Sequence, residues 1–523
     1  MSGISYLLLI FKSIIFLIVT FVLKLLYDFV YMPFRMRQKY KIYKNVYMNE
    51  RFIPFLGDIE VIKNNLKENK SKFHHFIKES LENKGHDIRV SQYTSSIMLD
   101  VCSVKALDQF EKLVPSKIDR YVPIRLSLHN IIGGSFGASF SNEKWNKRRK
   151  EMAKHIGINF CSKHIPMMIK TIDKHIEESS INQEISLTNL MTKVTFDVIT
   201  KIFFGQDITE KMDKIEYQCP YTGTKSMLKF QEFFPKVTIN QFECSHNLLG
   251  KLFPFLARYN LVDPYKTNAK NTQAYFNALV QYLDNCMDQD SVYYALYSSG
   301  KFTKQECVMD TILMIFAGFD TSSRGLSSTI CMLKKTPEKL TKLMQELEKH
   351  EITSITSLPQ DQYKYKYEEC DYLNYVTKEG LRFDPPTNCS IPYIAVQDCE
   401  ILGVKIPKEQ KMEVNIFYPH YNPEQWHRPD EFIPERFDPE SELFYKPGTK
   451  DLRHPKSYIP FSSGPRNCLG QTLAKLELKV ILSRFLTKVD YEVNEELLNN
   501  DYRYNIVEGK HLYGKITNVK SVV

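Results

Sequence analysis

Apolar residues run almost unbroken from Ile4 to Leu23, ISYLLLIFKSIIFLIVTFVL, with Lys12 the one charge in the window. That is about the length a helix needs to cross a bilayer. On insertion scales a central Lys costs roughly 3 kcal/mol, while Leu, Ile, Phe and Val each return about 0.3–0.6, so the sum favours insertion. A cleaved signal peptide would want a charged start, a shorter apolar run and a small-residue cleavage site. None is evident in the sequence, and a buried core helix is the other competing reading. Arg35, Arg37, Lys39, Lys41 and Lys44 follow the segment closely. By the positive-inside rule they place the remainder of the chain on the cytoplasmic side. The pattern therefore divides the chain into a transmembrane signal anchor (1–31), a basic juxtamembrane linker (32–50) and one large folded domain (51–523).

Within that domain, residues 61–112 alternate short helical and strand-like patterns, and NIIGGSFGASF (Asn130 to Phe140) is Gly-rich and loop-like. Helical periodicity then dominates from Trp145 to about Lys349. Short strands and turns follow from Asp384 to Glu413, and a Pro-rich irregular stretch runs from Pro419 to Pro465. A final helix begins near Leu469, with short strands closing the chain. No internal repeat interrupts this order. The fold class is mainly α with small β-sheets.

Composition changes the picture in two places. The formal net charge is +9, which suits nucleic acid, an anionic membrane surface or an acidic protein. With no zinc-ligand spacing, no RNA-binding signature and no long basic run, no nucleic-acid partner is expected. The eleven cysteines are odd in number, and no two are spaced C-x-x-C. That argues against a disulfide framework or zinc module, and for a reducing compartment in which one thiol stands apart.

That thiol is Cys468, in FSSGPRNCLG (461–470) ahead of the helical QTLAKLELKVILSRFL. Gly464 permits a backbone conformation closed to other residues, and Gly470 lets the chain approach a flat cofactor. A helix N-terminus favours a thiolate, which is the ligand that pushes electron density onto heme-bound oxygen. Arg466 is placed to pair with a heme carboxylate.

The loop matches F-x-x-G-x-R-x-C-x-G and resembles the heme-binding signature of the cytochrome P-450 family, of the membrane-anchored microsomal type. Glu379-Gly380-Leu381-Arg382, followed by RFDPP and later by Pro434-Glu435-Arg436-Phe437, matches the family's E-x-x-R region. Trp145-Asn146-Lys147-Arg148-Arg149 matches W-x-x-x-R, and TFDVITKIFFGQD (195–207) also looks familial. The resemblance runs from about residue 50 to the C-terminus. It implies a single P-450-type domain binding heme b (iron protoporphyrin IX), with Cys468 on the iron. It implies that Trp145, Arg149, Phe461, Gly464, Arg466 and Gly470 surround the cofactor, and that Glu379, Arg382 and Arg436 form a buried structural ion-pair network.

The apolar-periodic helix 304–334 is interrupted in sequence by Ala317-Gly318-Phe319-Asp320-Thr321, similar to the family's A-G-x-[DE]-T motif. Splitting dioxygen needs protons, and a hydroxyl in a locally opened helix, fed by an acid, delivers them. Asp320 and Thr321 are thus the catalytic candidates, with Gly318 easing the opening. The resemblance implies a monooxygenase acting on a lipophilic small molecule at the endoplasmic reticulum membrane, with electrons from NADPH through a flavoprotein reductase. Ile124, Leu126, Phe316, Ala317, Phe319 and Thr387 to Ile391 are expected to line the substrate, and Lys147, Arg148 and Lys150 form a basic cluster suited to an acidic partner. The competing readings are a heme-thiolate isomerase or dehydratase that uses no dioxygen, and a non-catalytic heme sensor. Two departures from the family stand out. The proline hinge is reduced to Pro33 and Pro54, and Tyr393 follows Ile391-Pro392 where a basic partner for a heme propionate is usual.

Overall fold

The computed structural model describes residues 3–58, 86–121, 129–206, 208–247, 249–250, 253–285, 288–494 and 512–520. Helices dominate and the sheets are small, as the periodicity predicts. The substrate candidates Ile124 and Leu126, and part of the 61–112 stretch, lie outside the described residues. The chain divides into two compact units, Met1–Ile118 with Pro392–Tyr418, and Asp119–Ile391 with Pro419–Val523.

In the first unit the apolar run forms helix Gly3–Leu26, which passes through a π turn, Tyr27–Tyr31, into helix Met32–Tyr40. The widening falls where Pro33 has no N–H to offer the Phe29 carbonyl. That carbonyl accepts from the Phe55 N–H at 3.4 Å instead. Phe16 and Leu17 are 69% and 65% exposed, so this is no core helix of the unit. It is long and apolar enough to cross a membrane. The basic stretch beyond it stays helical to Tyr40, and Arg37 is buried, donating to the Asn49 carbonyl.

The unit's sheet includes, in order, Val46–Met48, Ile88–Tyr93, Ser96–Val101, Lys411–Val414 and Tyr393–Ala395. Central strands Ile88–Tyr93 and Ser96–Val101 form an antiparallel hairpin, and Lys411–Val414 joins parallel to the second. A buried Arg89–Asp100 pair (3.1 Å) lies across the hairpin. Tyr393 is buried edge-on against Phe110, ring centroids 5.1 Å apart; its phenol ring packs in this core.

The second unit is built on helix Lys304–Lys335. A capping box starts it: the Glu306 N–H donates to Thr303 Oγ1, and the Glu306 carboxylate accepts from the Thr303 N–H at 3.0 Å. Pro337 opens the next helix, Pro337–Lys349. Contrary to the expected interruption at Ala317–Thr321, the long helix is continuous. Gly318 explains this: a Cβ there would lie 2.0 Å from Ile199 Cδ1, so the glycine serves close packing against helix Leu187–Phe204. Thr195 of that helix also donates to the Phe319 carbonyl at 2.8 Å. Helices Glu143–Lys154, Ile165–Glu177, Asp371–Phe383 and Gln471–Lys488 complete the core around it.

Candidate active site

The cysteine loop is held from its own backbone. The Cys468 N–H donates to Phe461 O (2.9 Å) and the Asn467 N–H to Gly464 O (3.1 Å). Gly464 has φ +72°, a region where a Cβ is penalised, and it opens a 3-10 turn through Arg466. Gly470 then caps helix Gln471–Lys488. Burial pushes the Cys468 thiol pKa up, opposed by a backbone hydrogen bond at Gly470 and by the Arg149 charge. The helix terminus that favours a thiolate does follow Cys468, and burial acts against it.

Although it lies within the packed unit, Cys468 is exposed. The same is true of the long helix at one place only among its middle turns. Residues 307–315 and 322–333 are buried, whereas Ala317 is exposed and Phe316, Gly318, Asp320 and Thr321 are partly so. Thr387 to Ser390 are likewise half-buried, and Ile391 is exposed. Phe319, expected to line the substrate, instead packs edge-on against Phe196 in the core. Met314 ties the two walls together: a Cβ on Gly470 would meet its Cε at 3.7 Å and the Cys468 sulfur at 3.9 Å.

Asp320 and Thr321 do not bond to each other. Asp320 Oδ2 accepts from Arg324 Nε at 2.9 Å, and Thr321 Oγ1 donates to the Ala317 carbonyl at 2.7 Å. Such a back-bond satisfies a helical hydroxyl without opening the helix. Its oxygen still has accepting capacity.

Helix Glu143–Lys154 starts at Asn142, whose side chain accepts from the Trp145 N–H (2.8 Å). Its Arg149 donates to Asn467 at the carbonyl (2.9 Å) and Oδ1 (2.6 Å), and so grips the residue beside Cys468. The Arg466 guanidinium lies 4.2 Å from the Trp145 ring centroid. It donates to Asp119 Oδ1 (3.1 Å), Ser141 Oγ (2.8 Å) and Ser139 O (2.6 Å). Asp119 thus pairs with Arg466 within the protein. Arg148 also departs from expectation. Rather than joining Lys147 and Lys150 on an exposed basic face, it is buried against Asp310.

Glu379, Arg382 and Arg436 are fully buried together. Arg382 meets both Glu379 oxygens at 2.8 Å and also donates to the carbonyls of His420, Pro429 and Glu431. Arg436 Nε reaches Glu379 Oε1 at 3.2 Å. His420 carries the network onward: its Nε2 accepts from the Ile459 N–H at 2.8 Å, two residues before the cysteine loop. Burial and the Arg382 charge lower its pKa to about 3, so it stays neutral. Nothing in the sequence marks His420, because its partners are backbone groups far along the chain.

Glu477 is a second residue without a sequence signal. It is buried, accepts from Ser322 Oγ at 2.7 Å, and its Oε1 has no hydrogen-bond partner among the described residues. Burial pushes its pKa from 4.5 up to about 8. The folded state therefore keeps a proton that the unfolded chain has lost, so stability from this group falls as pH rises from about 4.5 to about 8. Glu477→Gln removes that slope. At pH 7 it relieves roughly 3 kcal/mol of protonation work, offset by roughly 1–3 kcal/mol for an unpaired amide. Urea unfolding at pH 5, 7 and 8.5 should show the variant gaining on the wild type with each step; parallel curves would mean that Glu477 is ionised when folded.

The residues present suit the heme b that the cysteine loop implies. An exposed thiol, a glycine shoulder without a Cβ, and a long helix whose middle turns lose burial around Ala317 suit a flat, sulfur-ligated group. Comparison with known proteins agrees. The family model described as Cytochrome P450 matches residues 120–503. Cytochrome P450 3A16 of Mus musculus is 26% identical over 68% of this chain and 69% of its own length. Cytochrome P450 3A28 of Bos taurus is 27% identical over 63% and 62%. Thromboxane-A synthase of Mus musculus is 33% identical over 38% and 35%, so the chain aligns with only about a third to two thirds of these relatives' lengths. A family match of that extent, on a chain whose signature loop carries the exposed Cys468, places this protein in the cytochrome P450 family, whose cofactor is heme b.

Proposed function

We propose that this enzyme is a heme-thiolate monooxygenase that inserts one atom of dioxygen into a lipophilic small molecule. Its electrons come from NADPH through a flavoprotein reductase. The N-terminal helix anchors it in the endoplasmic reticulum membrane, with the catalytic domain in the cytoplasm. The observation that carries the reading is the pairing of an accessible Cys468 thiol with the turn of the long helix at Ala317, which breaks an otherwise buried run. When bound, the heme supplies oxygen activation, with Cys468 as its sulfur ligand. Trp145, Arg149 and Arg466 stiffen the edge of that site, and Phe461 and Gly470 flank the sulfur. Ala317, the half-buried Thr387 to Ser390 and the exposed Ile391 border the space left for substrate. Thr321 holds a hydroxyl at that space, and Asp320 supplies the nearest carboxylate on the same helix.

A second reading draws on the thromboxane-A synthase resemblance and on the Arg324 bond that occupies Asp320: an isomerase or dehydratase that needs neither dioxygen nor a reductase. Thr321→Ala separates the two. In the monooxygenase, product formed per NADPH consumed should fall severalfold and hydrogen peroxide rise in step, because the ordered hydroxyl is gone. Heme content should hold, since most of the side-chain volume remains. No NADPH or dioxygen consumption by the wild type with reductase and substrate present would favour the isomerase.

A further inference from the structure

Adjacent residues of helix Glu143–Lys154 reach in two directions. Arg149 grips Asn467 on the cysteine loop. Arg148 turns to the long helix: its Nε meets Asp310 Oδ2 at 2.7 Å and its Nη2 meets Oδ1 at 2.5 Å. The same guanidinium donates to Gly134 O at 3.1 Å, and Asp310 Oδ1 also accepts from the Phe136 N–H at 2.8 Å. Arg148 and Asp310 are 6% and 7% exposed at their side chains, so solvent screens the pair little. Asp310 precedes Ala317 by seven residues, close to two turns. The two therefore sit on nearly the same helix face, and a shift at one moves the other.

We propose that Arg148 and Asp310 are positioning residues that, through the neighbouring Arg149–Asn467 grip, fix the gap between the long helix and the cysteine loop. This rests on the heme-thiolate reading of that gap. Packing alone would not need a charged fork here. A fork supplies fixed direction, and it clasps the Gly-rich loop at residues 134–136 to both helices at once. The pair touches neither the sulfur nor the unburied turn, so its influence is on spacing.

The test uses full-length, heme-loaded protein and two iron-binding probes of different bulk, imidazole and 4-phenylimidazole, titrated by their absorbance shifts. Asp310→Asn keeps the shape and the Phe136 contact but removes the charge that aligns Arg148. Arg148→Lys keeps a charge without the fork and serves if the first variant does not fold. In either variant the ratio of the two dissociation constants should change by about tenfold or more, with the thiolate-type spectrum retained. The double variant Arg148→Met/Asp310→Leu, which leaves no buried charge, should recover thermal stability but not the ratio. A ratio within twofold of wild type in the folded single variants, or one restored by the apolar double variant, overturns the proposal. A wild type without a thiolate-type spectrum overturns the heme-thiolate reading itself and this inference with it.

Discussion

Cys468→Ser should abolish the red-shifted Soret band of the reduced, carbon-monoxide-bound protein. An alcohol does not ionise near neutral pH, so it cannot replace a thiolate on iron. The loop itself should survive. Its backbone bonds, Cys468 N–H to Phe461 O and Asn467 N–H to Gly464 O, do not involve the sulfur. The deeply buried cysteines offer no easy substitute. Burial pushes the thiols of Cys161, Cys331 and Cys370 up to about 12 and that of Cys307 to about 11. Cys389, half-buried, is placed on a different segment. The measurement is the carbon monoxide difference spectrum of purified wild type and variant, beside their urea midpoints. Survival of the band in a folded variant would put the iron ligand elsewhere. Loss of the band together with loss of folding would mean that the loop depends on its cysteine side chain and that its backbone bonds do not suffice to hold it.

The N-terminal span and the cysteine loop were legible in the sequence because each depends on local composition: a run of apolar residues, and fixed residue types within ten positions. The ion-pair trio was legible only through family resemblance, since Arg436 lies 57 residues from Glu379. What stayed hidden were choices of partner. Arg148 and Lys150 read alike on a basic helix, yet one lies two residues off the other's face and is buried. Arg466 also holds Asp119, a partner from a distant segment that no local pattern announces. The A-G-x-D-T motif predicted an opened helix. The neighbouring helix, through Ile199 and Thr195, instead uses the glycine for close approach. His420 and Glu477 carried no signal at all, because burial, not residue type, gives each its altered pKa.

Arg382→Lys should cost the fold on the order of 3–5 kcal/mol, despite retaining the charge. Arg382 spreads its donors over both oxygens of Glu379 and over three carbonyls, those of His420, Pro429 and Glu431. An ammonium has three donors and no planar fork, so it cannot serve these directions together. Groups left unpaired at complete burial keep their full desolvation penalty. Arg436 does not compensate, since it already holds Glu379 Oε1 and the carbonyls of Arg428 and Glu431. The loss should also reach the active site. His420, whose carbonyl accepts from Arg382, holds the Ile459 N–H on the approach to the cysteine loop. Heme retention through gel filtration should therefore fall with stability, and the residual carbon monoxide complex should shift away from the thiolate-type band. Urea unfolding of wild type and Arg382→Lys measures the first effect and heme per polypeptide the second. A variant within about 1 kcal/mol of wild type that keeps its heme would show that one charge suffices, and that the fork's geometry contributes little.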